Sequence, residues 1–213
     1  MTVPDRASAV RAAPDPKPRA RGRKSADKRL AIMRAAIEII NAKSFALATM
    51  TEIAASLDLR DATLYYYFPN KQALVYDCHV ASLARFERLL AQADEAGGSG
   101  IDKLRRFLLM FLEDSQINGQ QLYLGDYSYL EEAQRERIAG WAERLKNGLR
   151  GFIEEGMVDG SVVQSEPELV VQLMLGTLIW LAKWAPEVRS LTVPRLAGAI
   201  EAFAFHGLES RSI

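Results

Sequence analysis

The sequence predicts an all-α protein, with a small three-helix N-terminal domain followed by a larger helical domain. Apolar residues recur every three or four positions along most of the chain, which is the spacing of residues on one helix face. The 213 residues contain no internal repeat and no strand-like alternation of apolar and polar residues. Glycine and proline residues separate the helical runs, as at Gly97, Gly119 and Pro167.

The first 24 residues differ from the rest of the chain. They are rich in proline, alanine and arginine and lack any apolar period, so we expect residues 1–24 to be disordered. The first helix is expected from about Asp27 to Asn41, with Ser25 as its cap. The N-terminal domain then occupies 25–75.

Residues 49–71 contain two short helices separated by a turn. Thr49 is placed to cap the first helix, and Glu52, three residues later, completes a capping box. The first helix ends near Asp58, a residue type that tolerates the left-handed backbone of a sharp turn. A helix-turn-helix has this shape, and its second helix enters the major groove of DNA.

The second helix of this stretch begins at Arg60 or Asp61. Leu64 and Phe68 lie four residues apart, so they share one face and point to a core. The opposite face is centred on Tyr66 and carries hydroxyl groups rather than large aliphatic side chains. Such hydroxyls donate hydrogen bonds to phosphates and base edges, so this face is the predicted DNA contact.

The run 64–74 reads LYYYFPNKQAL, in which Asn70 is placed to cap the following helix. Together with Thr49, Ile53 and Ala54, this run resembles the DNA-binding domain of the TetR family of bacterial transcriptional regulators. The close resemblance covers residues 28–75. It implies that the following residues face DNA: Thr49, Arg60, Asp61, Ala62, Thr63, Tyr65, Tyr66, Tyr67 and Lys71.

These residues have different expected roles. Lys71 lies at a helix N-terminus, where its ammonium and the backbone N–H groups meet a phosphate, and Tyr66 also holds the DNA backbone. Arg60 and Thr63 are expected to discriminate bases, with a phosphate contact as the alternative for Arg60. Asp61 is better explained as a carboxylate at the positive end of a helix.

The formal charge is unevenly distributed. Residues 1–75 hold 13 Lys and Arg against 7 Asp and Glu, whereas residues 76–213 hold 14 against 20. A basic N-terminal third containing a helix-turn-helix favours a nucleic acid partner. The basic segment 18–24 either enters the minor groove of that DNA or only keeps the protein soluble.

Composition and cysteine content favour a cytoplasmic protein without membrane contact. The chain is 49% hydrophobic and 25% charged, with one cysteine, Cys78, which excludes an internal disulfide and is typical of a reducing compartment. The N-terminus lacks the apolar segment of a signal peptide. The longest apolar run, 169–184, is short for a bilayer span and is interrupted by Gln172 and Lys183.

The sequence predicts no catalytic site, no cofactor and no metal. It has two histidines, His79 and His206, and neither a glycine-rich phosphate loop nor a cluster with metal-ligand spacing. Cys78 and His79 are adjacent, and adjacent helical side chains point in different directions. We therefore expect a packed thiol and a surface or interdomain histidine.

The C-terminal domain, 76–213, is rich in tyrosine and tryptophan. A phenol or indole offers an apolar body with one hydrogen-bonding group, which suits a pocket for an apolar ligand. For each residue the alternative is packing in the core or at a subunit interface. The candidate ligand-binding residues are Tyr123, Tyr127, Trp141 and Trp180.

Two C-terminal helices, 168–184 and 194–206, are predicted to form a dimer interface as a four-helix bundle with a second copy. The first is apolar on nearly every face, so one chain cannot cover it alone. The alternative is that both helices are internal to one subunit. The predicted interface residues are Leu173, Leu178, Leu181, Leu196, Ile200 and Phe203.

These observations predict a homodimeric transcriptional repressor that binds a palindromic DNA operator and releases it when a small apolar or aromatic molecule binds. One alternative is a DNA-binding regulator controlled by a protein partner, without a small-molecule pocket. A second is an enzyme with an appended DNA-binding domain.

Overall fold

The computed structural model describes residues 18–122 and 127–206, and within these ranges the protein is helical without a β-strand. The predicted all-α fold class is therefore confirmed. The helices are α1 (Pro18–Lys43), α2 (Met50–Ala55), α3 (Asp61–Tyr67), α4 (Lys71–Glu95), α5 (Gly100–Asn118), α6 (Glu132–Asp159), α7 (Pro167–Trp184) and α8 (Val193–Ile200). A 3₁₀ turn, Ala185–Glu187, follows α7, and a π-helical turn, Glu201–Phe205, continues α8.

Helix α1 begins earlier than the sequence predicted. Disorder was expected through residue 24, yet the helix starts at Pro18, and the expected cap Ser25 lies inside it. Proline suits the first helical position, because that position needs no N–H donor. The alanine, arginine and lysine residues that follow are good helix formers. Residues 1–17 of the predicted tail lie outside the described residues.

Helices α1 to α3 and the start of α4 enclose the N-terminal core. Leu64 and Phe68 are 0% and 1% exposed, so the predicted inward face of α3 is confirmed. Asp58 adopts a φ of 53°, which is the left-handed turn predicted for it. Other side chains buried in this core are Ile32, Ala36, Ile53 and Leu74.

The helix caps around the turn form largely as predicted. Thr49 Oγ1 accepts a hydrogen bond from the N–H of Glu52 at 3.1 Å, and Asn70 Oδ1 accepts one from Ala73 at 2.7 Å. The expected capping box at α2 is incomplete, because the Glu52 carboxylate forms an ion pair with Lys43 instead of closing on Thr49. The pairing with Lys43 ties the end of α1 to α2.

Helix α4 belongs to both cores. Its first turns bury Leu74, Val75 and Cys78 against α1 to α3. Its later turns bury Leu83 and Phe86 against α5 and α6. The boundary predicted at residue 75 therefore falls within a continuous helix that the two domains share.

Helices α5 and α6 approach most closely at Gly100. A Cβ added at this position would collide with backbone atoms of Phe152 and Gly156. The end of α6 also supplies acceptors to the start of α5: Asp159 Oδ2 accepts from the N–H of Gly100 at 2.8 Å. Hydrogen bonds from Ser161 and from Gly100 lower the pKa of the Asp159 carboxyl below its usual value.

Helix α7 divides its apolar residues between two faces. Val171, Met174, Leu178 and Leu181 are buried in the protein's own core. The other face is exposed: Leu173 is 73% and Trp180 is 58% exposed. Of the predicted interface residues, Leu178 and Leu181 thus lie within the subunit. A uniformly apolar helix gives no sign in its sequence of which face its own chain covers.

The C-terminal helix also departs from the predicted stripe. Ile200 is buried, Leu196 is half-buried, and Phe203 is 81% exposed. In a π-helical turn, residues five apart share a face, and Ile200 and Phe205 are the buried pair. Phe203 is therefore turned outward, while Ile200, predicted at the interface, packs in the subunit core.

We predict that Gly100→Ala destabilises the fold by about 1–3 kcal/mol, because the new methyl group overlaps the backbone of α6. The free energy of unfolding from urea titration at fixed protein concentration measures this loss. Gly151→Ala is the matched control, since a Cβ at Gly151 meets open space on α6. The control should be neutral or stabilise by up to about 1 kcal/mol, and equal destabilisation of both variants would contradict the prediction.

Candidate DNA-binding surface and effector cavity

The turn between α2 and α3 is held by a short set of hydrogen bonds. The N–H of Leu59 donates to the Ala54 carbonyl at 2.9 Å, which closes the turn. Thr51 Oγ1 donates to Asp61 Oδ2 at 2.7 Å and fixes α3 against α2. Asp61 is thus occupied as a carboxylate at a helix start, and its direct contact with DNA stays a prediction.

The outward face of α3 carries the predicted tyrosines. Tyr66 is 80% and Tyr65 is 49% exposed, whereas Tyr67 is half-buried and meets Tyr66 edge to face with ring centroids 5.2 Å apart. Arg60 and Ala62 are exposed at the start of the helix, and the Arg60 side chain makes no capping hydrogen bond. Thr63 is half-buried beside them. These side chains are thus partly or fully accessible on α3 or just before it, and their contact with DNA stays a prediction.

Lys71 is held more firmly than the sequence suggested. Its ammonium donates to the carbonyls of Phe45 and Ala48 at 2.7 and 2.8 Å, and it lies 4.2 Å from the centroid of the Phe45 ring. These contacts fix the loop between α1 and α2 to the start of α4. An ammonium has three N–H donors, so one remains for a phosphate, and that contact stays a prediction.

A set of aromatic and polar contacts joins the two domains, and no local pattern in the sequence indicates it. The rings of Phe45 and Tyr129 stack with centroids 3.8 Å apart and planes 10° from parallel. Gln72 Nε2 donates to the Tyr129 carbonyl at 2.6 Å. The Tyr129 hydroxyl lies 2.7 Å from Nε2 of His79, which is fully buried. The expected interdomain position of His79 is thus found.

The segment between α5 and α6 makes further contacts with the N-terminal domain. Asn41 Nδ2 donates to the Gln121 carbonyl at 2.8 Å. The N–H of Leu122 donates to Ser82 Oγ at 3.0 Å, and the Leu122 side chain is buried in the N-terminal core. We refer to this group of contacts, together with Phe45, Tyr129 and His79, as the junction.

A cavity of about 920 Å³ lies in the second domain, lined by α4 to α8 and by the segment after α5. Two of the predicted ligand-binding residues, Tyr127 and Trp180, line it. Trp141 is half-buried against the core and is not among its lining residues, and Tyr123 lies outside the described residues. The interface candidates Leu178, Leu181 and Leu196 also line the cavity.

The cavity wall is mainly aliphatic and aromatic, with several amide and hydroxyl groups. Leu83, Phe86 and Phe111 represent the apolar part, and Gln116 and Gln172 the amide part. Such a wall with a small number of polar groups is typical of sites for small organic molecules. The volume lies within the range of such sites, about 300–1,000 Å³.

The described residues offer little sign of a reactive thiol, a metal site or a membrane-spanning helix. Burial raises the pKa of the Cys78 thiol, which therefore stays protonated and packed. Across residues 18–122 and 127–206, no group of three or more His, Cys, Asp or Glu side chains is arranged to hold a metal ion. No helix in the same ranges is long and apolar enough to cross a membrane.

A helix-turn-helix with an exposed recognition helix, joined to a helical domain with a ligand-sized cavity, defines a DNA-binding transcription regulator. Residues 32–78 match the family model described as "Bacterial regulatory proteins, tetR family". Residues 97–208, more than half of the chain, match "Tetracyclin repressor-like, C-terminal domain". The chain belongs to the TetR family of bacterial transcriptional regulators.

Individual relatives agree with this assignment. The chain is 24% identical over 191 residues to the uncharacterized HTH-type transcriptional regulator YhgD of Bacillus subtilis, covering 87% of this chain and 99% of that protein. The ketosteroid transcriptional regulator KstR2 of Mycobacterium tuberculosis has a TM-score of 0.74 at 14% identity, over 86% of this chain and 96% of KstR2. AibR, in complex with isovaleryl coenzyme A and operator DNA, has a TM-score of 0.67 at 21% identity, over 83% and 98%.

We predict that Arg60→Ala weakens binding unequally across operator variants. The exposed Arg60 side chain at the start of α3 is expected to contact a guanine edge, and loss of such a contact costs about 1–3 kcal/mol at one base pair. The measurement is the dissociation constant for single-base variants of an operator selected from random duplexes. Lys71→Ala is the comparison: its predicted effect is loss of a phosphate contact, which weakens binding to all operator variants alike and lowers the salt slope by about 0.9. A uniform loss for Arg60→Ala would assign that residue to the backbone.

Proposed function

We propose that this protein is a cytoplasmic, homodimeric repressor that leaves a palindromic operator when a small molecule enters the cavity of the second domain. It acts by binding and not by catalysis. The observation that carries the proposal is the continuity between the cavity and the helix-turn-helix. Tyr127 lines the cavity, and its ring lies 5.7 Å from that of His79, edge to face.

From His79 the contacts continue to the DNA-binding domain. His79 bonds the Tyr129 hydroxyl, Tyr129 stacks on Phe45, and the Phe45 ring and carbonyl hold the Lys71 ammonium. The N–H of Glu52 is capped by Thr49, just after this loop. A ligand that displaces Tyr127 thus acts on packed groups that set the position of α2 and α3.

The mechanism is a shift between two populated arrangements of the DNA-binding domains. A ligand shifts this equilibrium only by its differential affinity for the two arrangements. In a dimer, the two recognition helices must be about 34 Å apart to enter successive major grooves. Ligand binding favours an arrangement in which the junction repacks and this spacing is lost, so the operator is released.

The dimer itself is proposed from two exposed apolar features, one face of α7 and Phe203 in the π-helical turn that continues α8. Leu169, Leu173 and Trp180 are 55%, 73% and 58% exposed, and Phe203 is 81% exposed. Gly176 lies on the same face, where an added Cβ would meet nothing within 4 Å of its own chain. A two-fold interface uses the same patch on both subunits, and this patch is suited to pair with its copy.

The relatives support control by a small molecule, since AibR binds isovaleryl coenzyme A together with its operator and KstR2 is a ketosteroid regulator. Control by a protein partner alone is less favoured, because a cavity of about 920 Å³ lies in the second domain. An enzyme with an appended DNA-binding domain receives no support from the described residues, which converge in no cluster of carboxylates at the cavity.

We predict that the junction couples the stabilities of the two domains. All three tryptophans lie in α6 and α7, so their fluorescence reports unfolding of the second domain, while circular dichroism reports both domains. Wild-type protein should show coincident urea transitions, and Tyr129→Leu should separate them. In a double-mutant cycle, Phe45→Leu and Tyr129→Leu should show a coupling energy of about 0.5–1.5 kcal/mol. Strict additivity of the two changes would show that the stack carries no coupling.

We predict that Leu173→Asp yields a folded monomer that binds the operator weakly, because each half-site alone gives few contacts. Sedimentation velocity and circular dichroism at micromolar concentration measure the two properties. Leu178→Asp is the contrast: this residue is 3% exposed within the subunit, so its change should unfold the second domain. A wild-type protein that sediments as a monomer at this concentration would refute the dimer.

A further inference from the structure

We propose that the effector is an amphipathic monoanion, an apolar chain or ring system that ends in a carboxylate held by Lys146. This inference rests on the proposed function, because it names the chemical class of the molecule that enters the same cavity. Its basis is the charge of the cavity wall. Among the described residues that line the cavity, Lys146 is the one charged side chain, and none is aspartate or glutamate.

Lys146 lies on α6, and both α6 and the neighbouring α7 line the cavity. Arg150 and Glu168 form an ion pair across these antiparallel helices, with Nη1 and Oε2 3.5 Å apart. Lys146 is one turn before Arg150, and Gln172 is one turn after Glu168, so the two stand next to each other on the facing helices. Both line the cavity. Gln172 Nε2 already donates to Glu168 Oε1 at 3.1 Å, and an amide nitrogen has a second N–H, so an anionic group would have a cation and one amide donor there.

The present partner of Lys146 is easily replaced. Its ammonium is paired with Glu143, three residues earlier on the same helix, and the Glu143 side chain is 52% exposed. An exposed pair of this kind contributes little to stability. Because the Lys146 side chain is 28% exposed, a carboxylate that reaches it from the cavity side meets a partly desolvated cation. Charges attract more strongly there than in bulk water.

The other residues that line the cavity indicate which kind of molecule would carry the carboxylate. Leu83, Phe86 and Phe111, on α4 and α5, line the same cavity as Lys146, and they favour a hydrocarbon body. A cationic head group would meet the like charge of Lys146. A dianionic phosphate is better matched by arginine donors, which bind it in a bidentate manner, and no arginine is among the described lining residues. A single carboxylate fits one lysine.

The test uses the full-length protein and three probes of equal chain length: decanoate, decan-1-ol and decylammonium, each below its micelle concentration. Isothermal titration calorimetry should show decanoate binding at least about tenfold more tightly than decan-1-ol, because a hydrogen bond to a charged group adds that much. Decylammonium should bind more weakly than the alcohol. Equal affinity of the acid and the alcohol would overturn the proposal, as would no binding of decanoate at millimolar concentration.

Three variants test whether Lys146 causes the preference for decanoate over decan-1-ol. Lys146→Met keeps an unbranched apolar side chain and should remove the tenfold preference for the acid. Arg144→Met removes the same charge from an exposed position on α6, where the guanidinium bonds the Gly140 carbonyl, and should leave affinity within twofold. Glu143→Gln frees the ammonium and should tighten decanoate binding by about two- to fivefold. Equal losses in Lys146→Met and Arg144→Met would refute a specific role for Lys146.

Operator release separates this inference from the function on which it rests. Release of a labelled operator by decanoate, with the same dependence on Lys146, supports both. Release by decan-1-ol as efficiently as by decanoate would refute the anionic class and leave ligand control standing. Decanoate that binds through Lys146 and leaves the operator bound at saturation would uphold the binding site and refute its role as the effector site.

Discussion

The arrangement of the protein depends on α4, which is a structural element of both domains. Leu74, Val75 and Cys78 complete the core around the helix-turn-helix, and Leu83 and Phe86 belong to the core of the second domain. A helix transmits displacement along its axis because each of its turns is closed by backbone hydrogen bonds. The second core therefore cannot repack around Phe86, which also lines the cavity, without acting on the helix that supports the DNA-binding core.

One shared helix would leave the N-terminal domain free to rotate about it, and the other contacts restrict that rotation. The stack of Phe45 on Tyr129 and the hydrogen bond from Asn41 to Gln121 attach the N-terminal domain to the segment between α5 and α6. On α7, Lys183 Nζ lies 3.4 Å from the Ala42 carbonyl at the end of α1. Each of these attachments starts from an element that also lines the cavity, so a single bound molecule acts on all of them together.

The sequence revealed those features that are local in the chain. Thr49, Asp58 and Asn70 were identified because caps and turns depend on residues a few positions away. The stack of Phe45 on Tyr129 joins residues 84 positions apart, and no local pattern predicts such a pair. For α7 the sequence predicts a helix, but a helix that is apolar on nearly every face does not show which face is buried, so the interface prediction includes both Leu173 and Leu178. For Lys71, the position at a helix start was correct, but its carbonyl partners come from a loop whose path only the fold defines.

Helix α7 brings the cavity and the exposed apolar face onto one element. Gly176 and Trp180 both line the cavity and are exposed, whereas Leu178, on the inner side, is buried. In the proposed dimer, the subunit interface and the ligand therefore share residues of α7, and Leu178 also lines the cavity from its buried position. A carboxylate bound to Lys146 changes the packing between α6 and α7. A small rotation of α7 that results changes its contacts with the second subunit. Since packed interfaces shift between discrete arrangements rather than deform continuously, that rotation is a direct route to a new spacing of the two recognition helices.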